Sequence, residues 1–186
     1  PNHYLLTVAR LVRHKGIHTL IEAYHGVPTN MKLVIVGAPS YTDDYLEYLR
    51  ILAAEHPNII FAGFQGGETL AELFSHAYLY VHPSESEGLS NTILEAMSYG
   101  KAVIAADIPE NLEIVGDYGV TFKVNDAQDL AEKITELTQD PMQAAGLGHV
   151  ARTYVEDAFN WDDIAIEILS IYRSLTVAPE GLLALE

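Results

Sequence analysis

The sequence contains no cysteine. Disulfides, thiol catalysis and cysteine-ligated zinc are therefore excluded. Positive charge is scarce too: 10 Lys and Arg stand against 26 Asp and Glu, a formal net charge of −16. A field of that sign repels the phosphates of nucleic acids and anionic membranes, so neither is an expected partner. No apolar run approaches the ~18 residues that cross a bilayer. The N-terminus carries no basic–apolar–small-residue signal, and Pro1 stands where an initiator Met would, as in a piece of a longer protein. No Asp-x-Asp pair occurs, which removes the simplest divalent-metal site.

What is present is a globular composition. Apolar residues make up 49% and charged residues 19%, which excludes general disorder. Apolar runs alternate with helical patterns along the whole chain. Strands are predicted at 4–9, 31–36, 58–62, 78–81, 102–106 and near 119–122. Helices are predicted at 17–24, 43–55, 68–76, 89–99 and 126–137, and from Met142 and Trp161 onward. A short turn through Pro109 is expected before the last strand. The fold class is α/β: a Rossmann-like open parallel sheet of about six strands, with helices on both faces. The domain is expected to cover residues 1–176. Residues 177–186 read as a tail, disordered or partly derived from cloning. In such a sheet, ligands bind beyond the carboxyl ends of the strands, at the switch in strand order. The loops at 10–16, 37–42, 63–67 and 82–88 are therefore the ones that carry function.

Common phosphate and nucleophile motifs fail. Gly63, Gly66 and Gly67 lack the spacing of a dinucleotide fingerprint, and Gly100-Lys101 lacks the rest of a P-loop. The GLSNT segment ends in Thr92 where a nucleophile elbow needs glycine. His14 and His18 are separated by Gly16 and have no acidic partner, a weak metal pair.

Two stretches remain. In TVARLVRHKG, Arg10, Arg13 and Lys15 follow the first strand. Arg10 and Lys15 form a candidate anion site in an otherwise acidic protein, whereas Arg13 reads as solvated. In HPSESEGLSNTILEAMSYG, a loop with Glu87 and Gly88 leads into a helix. The free N–H groups near Leu89 and Ser90 would form a second anion cradle. Glu95 lies eight positions after Glu87. Helical rise over that span places the carboxylates roughly 10–12 Å apart, beyond the ~5–9.5 Å of a glycosidase acid pair. They suit the two hydroxyl-bearing ends of one long ligand, with diphosphate between them. A nucleotide sugar has that shape.

These stretches resemble the C-terminal, donor-binding half of glycosyltransferase family 4, retaining enzymes of GT-B fold. The similarity spans nearly the whole chain. It includes VARLVRHKG, LVIVG at 33–37, IIFAGF at 59–64 and a Glu-x7-Glu signature within PSESEGLSNTILEAMSYGKAVIA at 83–105. IPENLEIVGDYGVTFKVND at 108–126 and FNWDDIAIEILSIY at 159–172 also match. Leu89 stands where the family more often has an aromatic, and Gly37 is followed by Ala38-Pro39-Ser40 rather than by a second glycine.

The resemblance implies transfer of a sugar from a UDP-, GDP- or ADP-sugar to an acceptor hydroxyl, with anomeric configuration retained and with no metal or other cofactor. Arg10 and Lys15 would hold the diphosphate, Glu87 the sugar hydroxyls and Glu95 the ribose. Gly88, Leu89 and Ser90 would position sugar and phosphates, and Gly63, Phe64 and Gln65 would bound the base. Gly37 would admit the diphosphate to the backbone. The acceptor, a sugar, lipid-linked glycan or small molecule, would bind a missing N-terminal domain, leaving this piece inactive by itself. The same resemblance implies a cytoplasmic location, either free or peripheral at the cytoplasmic membrane face through the missing domain. Two other readings stand beside it: an epimerase or phosphorylase-like relative, and a non-catalytic sugar-nucleotide-binding domain.

Overall fold

Short apolar runs become six strands. These are β1 (Tyr4–Val8), β2 (Lys32–Val36), β3 (Ile59–Gly63), β4 (Leu79–His82), β5 (Ala102–Ala106) and β6 (Val120–Phe122). The computed structural model describes residues 4–40 and 43–176, so the expected tail lies outside the described residues. All strand pairs are parallel, in the order β3-β2-β1-β4-β5-β6. The order reverses between β1 and β4, and their loops open onto the crevice there.

Among the described residues, seven α-helices pack around the sheet, α1 (Ile17–His25), α2 (Asp43–Ala53), α3 (Gly67–His76), α4 (Asn91–Ser98), α5 (Pro109–Val115), α6 (Ala127–Gln139) and α7 (Pro141–Ala158), and an eighth, α8 (Trp161–Thr176), follows them. Strand periodicity sends successive side chains to opposite faces. Leu5, Leu33 and Leu79 pack with Leu20 of α1, Leu49 of α2 and Ile134 of α6. Their neighbours Leu6, Val34 and Tyr80 pack on the other face with Phe74 of α3, Ile93 of α4, Ile114 of α5 and Ala151 of α7. Each fully buried Leu or Ile contributes about 1.5–3 kcal/mol, so both layers are anchored through the same strands. Asp126 and Asp140 cap α6 and α7, each carboxylate accepting from two main-chain N–H groups.

Two expectations need correction. The turn expected at Pro109 is helix α5, with proline in its first turn, where no N–H is needed. The helix expected from Leu89 begins at Asn91, with Ser90 as its N-cap. The segment from Glu87 to Ser90 is therefore not helical, and the 10–12 Å separation derived from helical rise no longer applies.

Helix α8 leaves Trp161, Ile166, Leu169, Tyr172 and Leu175 exposed. No described helix is long and apolar enough to cross a membrane.

Candidate functional site

The β1 and β4 loops are joined by main-chain contacts before any ligand is considered. Residues Arg13–Lys15 form one 3-10 turn, closed by Gly16 in the left-handed region. The carbonyl of His14 accepts from the Glu85 N–H at 2.8 Å and from Ser84 Oγ at 3.1 Å. A Cβ at Gly16 would lie 1.9 Å from the Pro83 carbonyl oxygen. Glycine is thus what lets the two loops meet. The Arg13 guanidinium lies 5.3 Å and 5.6 Å from the ring centroids of Tyr45 and Tyr48. Its task is to hold the turn against α2. His18, the other half of the weak metal pair, places Nδ1 2.9 Å from the Tyr45 hydroxyl.

This clamp brings Lys15 to Glu87. Lys15 Nζ is 2.6 Å from Glu87 Oε1, and His82 Nε2 is 2.8 Å from the same oxygen. Burial pushes the Glu87 carboxyl upward. Hydrogen bonds from His82 and then Lys15 outweigh it and bring the group down to about 2. The Glu87 side chain is only 9% exposed, so these contacts are weakly screened.

A stability prediction follows. The carboxylate's contribution is complete above its ordinary 4.5 and is lost as pH falls toward about 2. Its size is about 3 kcal/mol. In urea unfolding at pH 7, 4 and 3, the difference between the wild-type chain and Glu87→Gln should shrink steadily. A difference that stays constant with pH would rule out the ionised pair as its source.

Arg10, Lys15, His82, Glu87, Leu89, Ser90, Asn91 and Thr92 line a cleft of about 200 Å³. Arg10 is exposed and forms no ion pair among the described residues. Arg10 and Thr92 also line an adjoining cleft of about 430 Å³, with Gly37, Pro39, Phe64, Gln65 and Leu70. That volume is within the ~300–1,000 Å³ of small-ligand sites. Phe64 is 78% exposed. Gln65 is steadied by its Nε2 donating to the Ala62 carbonyl at 2.7 Å. The pairing of β2 and β3 shifts register just before Gly63, which turns this loop outward. Gly63 lies behind the cleft, its carbonyl accepting from the Gly37 N–H at 2.8 Å. Gly37 is required by geometry: its φ is 149°, and a Cβ there would be 1.8 Å from the Ala9 carbonyl oxygen.

Besides Gly63, two expected site residues lie outside both clefts. Gly88 does not line either cleft, and a Cβ there would meet nothing within 4 Å. Glu95 lines a third groove of about 490 Å³ with Leu94, Val155, Phe159 and Trp161. This groove shares Leu89 and Asn91 with the small cleft. Burial raises the Glu95 carboxyl.

Three polar residues of the small cleft are not among the expected site residues: His82, Asn91 and Thr92. Period-two alternation in Leu79–His82 puts Tyr80 and His82 on one face of β4, at its carboxyl end. That was the available signal for His82.

Residues 1–154 match the family model for glycosyl transferases group 1, and the chain belongs to that family. An uncharacterised glycosyltransferase of Methanocaldococcus jannaschii is 31% identical over 180 residues, covering 92% of this chain and 45% of the relative. The alpha-maltose-1-phosphate synthase of Mycobacterium tuberculosis is 32% identical over 182 residues, covering 90% of this chain and 47% of the relative. The crystal structure of Anabaena HepE in complex with UDP and glucose superposes with a TM-score of 0.87 at 26% identity, over 93% of this chain and 48% of that one. The chain therefore spans about half the length of the curated relatives it matches.

Proposed function

We propose that this chain is the donor-binding domain of a retaining glycosyltransferase. The enzyme moves a sugar from a nucleoside-diphosphate sugar to an acceptor hydroxyl. The observation that carries the reading is the meeting of Arg10, Lys15, Glu87 and the start of α4 in one cleft, beside a second cleft of nucleoside size. The complex of HepE with UDP and glucose supports it by analogy.

In this reading Arg10 and Lys15 grip the diphosphate, helped by the unpaired N–H groups of Asn91 and Thr92 at the head of α4. Phe64 offers a face to the base, and Gln65 and Gly63 bound it. Gly37 admits the diphosphate to the backbone. Glu87 accepts from the sugar hydroxyls. Glu95, one turn beyond Thr92, meets the ribose from the rim. Gly88, Leu89 and Ser90 shape the approach of the sugar. As the anomeric C–O bond breaks, negative charge grows on the diphosphate, where two cations and a helix start converge. The scheme asks for no metal. The acceptor binds the other half of the enzyme, in the cytoplasm or at the cytoplasmic face of a membrane, and the present piece turns over little by itself.

A thermal-shift panel of UDP, GDP and ADP, each with and without its sugar, tests the reading. A ligand present at 100 times its Kd stabilises the fold by about 2.7 kcal/mol, which is a rise of several degrees for a domain of this size. One nucleotide family should raise Tm selectively. A panel in which none does would reject the donor site.

A further inference from the structure

Two donors converge on one oxygen of Glu87, and their mobility differs. Lys15 reaches Glu87 Oε1 from a flexible four-carbon stem at 2.6 Å. On the donor-site reading, on which this inference rests, the same ammonium turns toward the diphosphate. A carboxylate held by Lys15 alone would be drawn along with it. His82 is the fixed partner. It closes strand β4, its side chain is 3% exposed, and its Nε2 is 2.8 Å from Glu87 Oε1. Ser90 Oγ stands 3.4 Å from the same nitrogen. On the other side of the ring, Nδ1 lies 3.3 Å from the Tyr80 hydroxyl. With the ring proton on Nε2, Nδ1 accepts from that hydroxyl. Tyr80 is fully buried and its oxygen lies 3.2 Å from the Val8 carbonyl, so the ring is set against the carboxyl end of β1 as well as its own strand.

We infer that His82 is a positioning residue. Its Nε2–H holds the Glu87 carboxylate in place for the sugar of the donor while Lys15 is engaged with the diphosphate. This role predicts an effect on sugar recognition separate from nucleotide recognition. Outer partners that orient a ligating group commonly account for about 10–100-fold in affinity. A merely structural histidine would lower both affinities together.

The test is NMR titration of the chain with UDP, GDP and ADP and with UDP-glucose, GDP-mannose and ADP-glucose, which reads binding even in the millimolar range. The pair that binds gives the ratio of the two dissociation constants. In His82→Phe the sugar nucleotide should weaken about tenfold relative to the bare nucleotide, whose Kd should stay within about twofold. Gln can place an amide N–H where Nε2 sits, and Asn places one only where Nδ1 sits. His82→Gln should therefore recover most of the ratio and His82→Asn should not, a comparison that holds even if the Phe variant fails to fold. An unchanged ratio in Phe and Asn variants, or equal behaviour of Gln and Asn, overturns the inference while leaving the donor site standing. Binding of none of the six compounds to the unsubstituted chain overturns the donor-site reading and the inference together.

Discussion

Lys15→Ala, tested in a glycosyltransferase that contains this chain, is expected on the proposed donor-site reading to lower sugar transfer by about 10²-fold or more. The estimate comes from the loss of one oriented donor to charge that develops in the transition state, and corresponds to about 2.7 kcal/mol. The loss should fall on kcat more than on KM, because the diphosphate gains charge as the bond to the sugar breaks. The fold should persist: Glu87 retains His82 at 2.8 Å, and the 3-10 turn is held by main-chain bonds and by Arg13 on Tyr45 and Tyr48. Lys15→Arg should not rescue fully, since the longer, planar guanidinium would pair with the Glu87 carboxylate in a different geometry from the compact ammonium. Initial rates over a range of donor concentrations decide the matter. Near-normal rates for Lys15→Ala would remove Lys15 from the reaction.

Glu87→Gln should lower transfer by a comparable factor, about 10²-fold, for a different reason. The amide keeps the shape of the side chain and a carbonyl oxygen for His82. It loses the charge that pairs Lys15 and that accepts strongly from sugar hydroxyls. Lys15 would then be drawn to the diphosphate without a competitor. Bare nucleotide should bind at least as well as before, while transfer falls. Rates close to wild type would show that the carboxylate has no part in holding the sugar.

How much of this was legible in the sequence depends on the kind of signal. The six strands stood out because each is a short apolar run between breakers, and the parallel sheet followed from their alternation with helices. Helix α5 was missed because Pro109 in a short segment reads equally as a turn, and only the packing of Ile114 and Val115 against the sheet settles it. The start of α4 was displaced because Leu89 continues the apolar pattern of the helix, while Gly88 and Leu89 form a bend and Ser90 is the extended N-cap. Arg10, Lys15 and Glu87 were legible as scarce or paired charges after strands. His82 was not, because Glu87 meets it only through the fold of the intervening loop, which the His14 carbonyl in the β1 loop holds at Ser84 and Glu85. The requirement for glycine at Gly16 was hidden for the same reason, since the Pro83 carbonyl it avoids is distant in sequence.

The central claim is that one cleft at the β1–β4 switch holds the diphosphate of an activated sugar between Arg10 and Lys15. The most direct measurement is a crystal structure of the chain with the nucleoside diphosphate that the thermal-shift panel selects. Phosphate oxygens should lie at hydrogen-bonding distance, about 2.7–2.9 Å, from Lys15 Nζ and the Arg10 guanidinium, with the base beside Phe64. A nucleotide ordered elsewhere on the domain, with both cations turned away from its phosphates, would refute the claim.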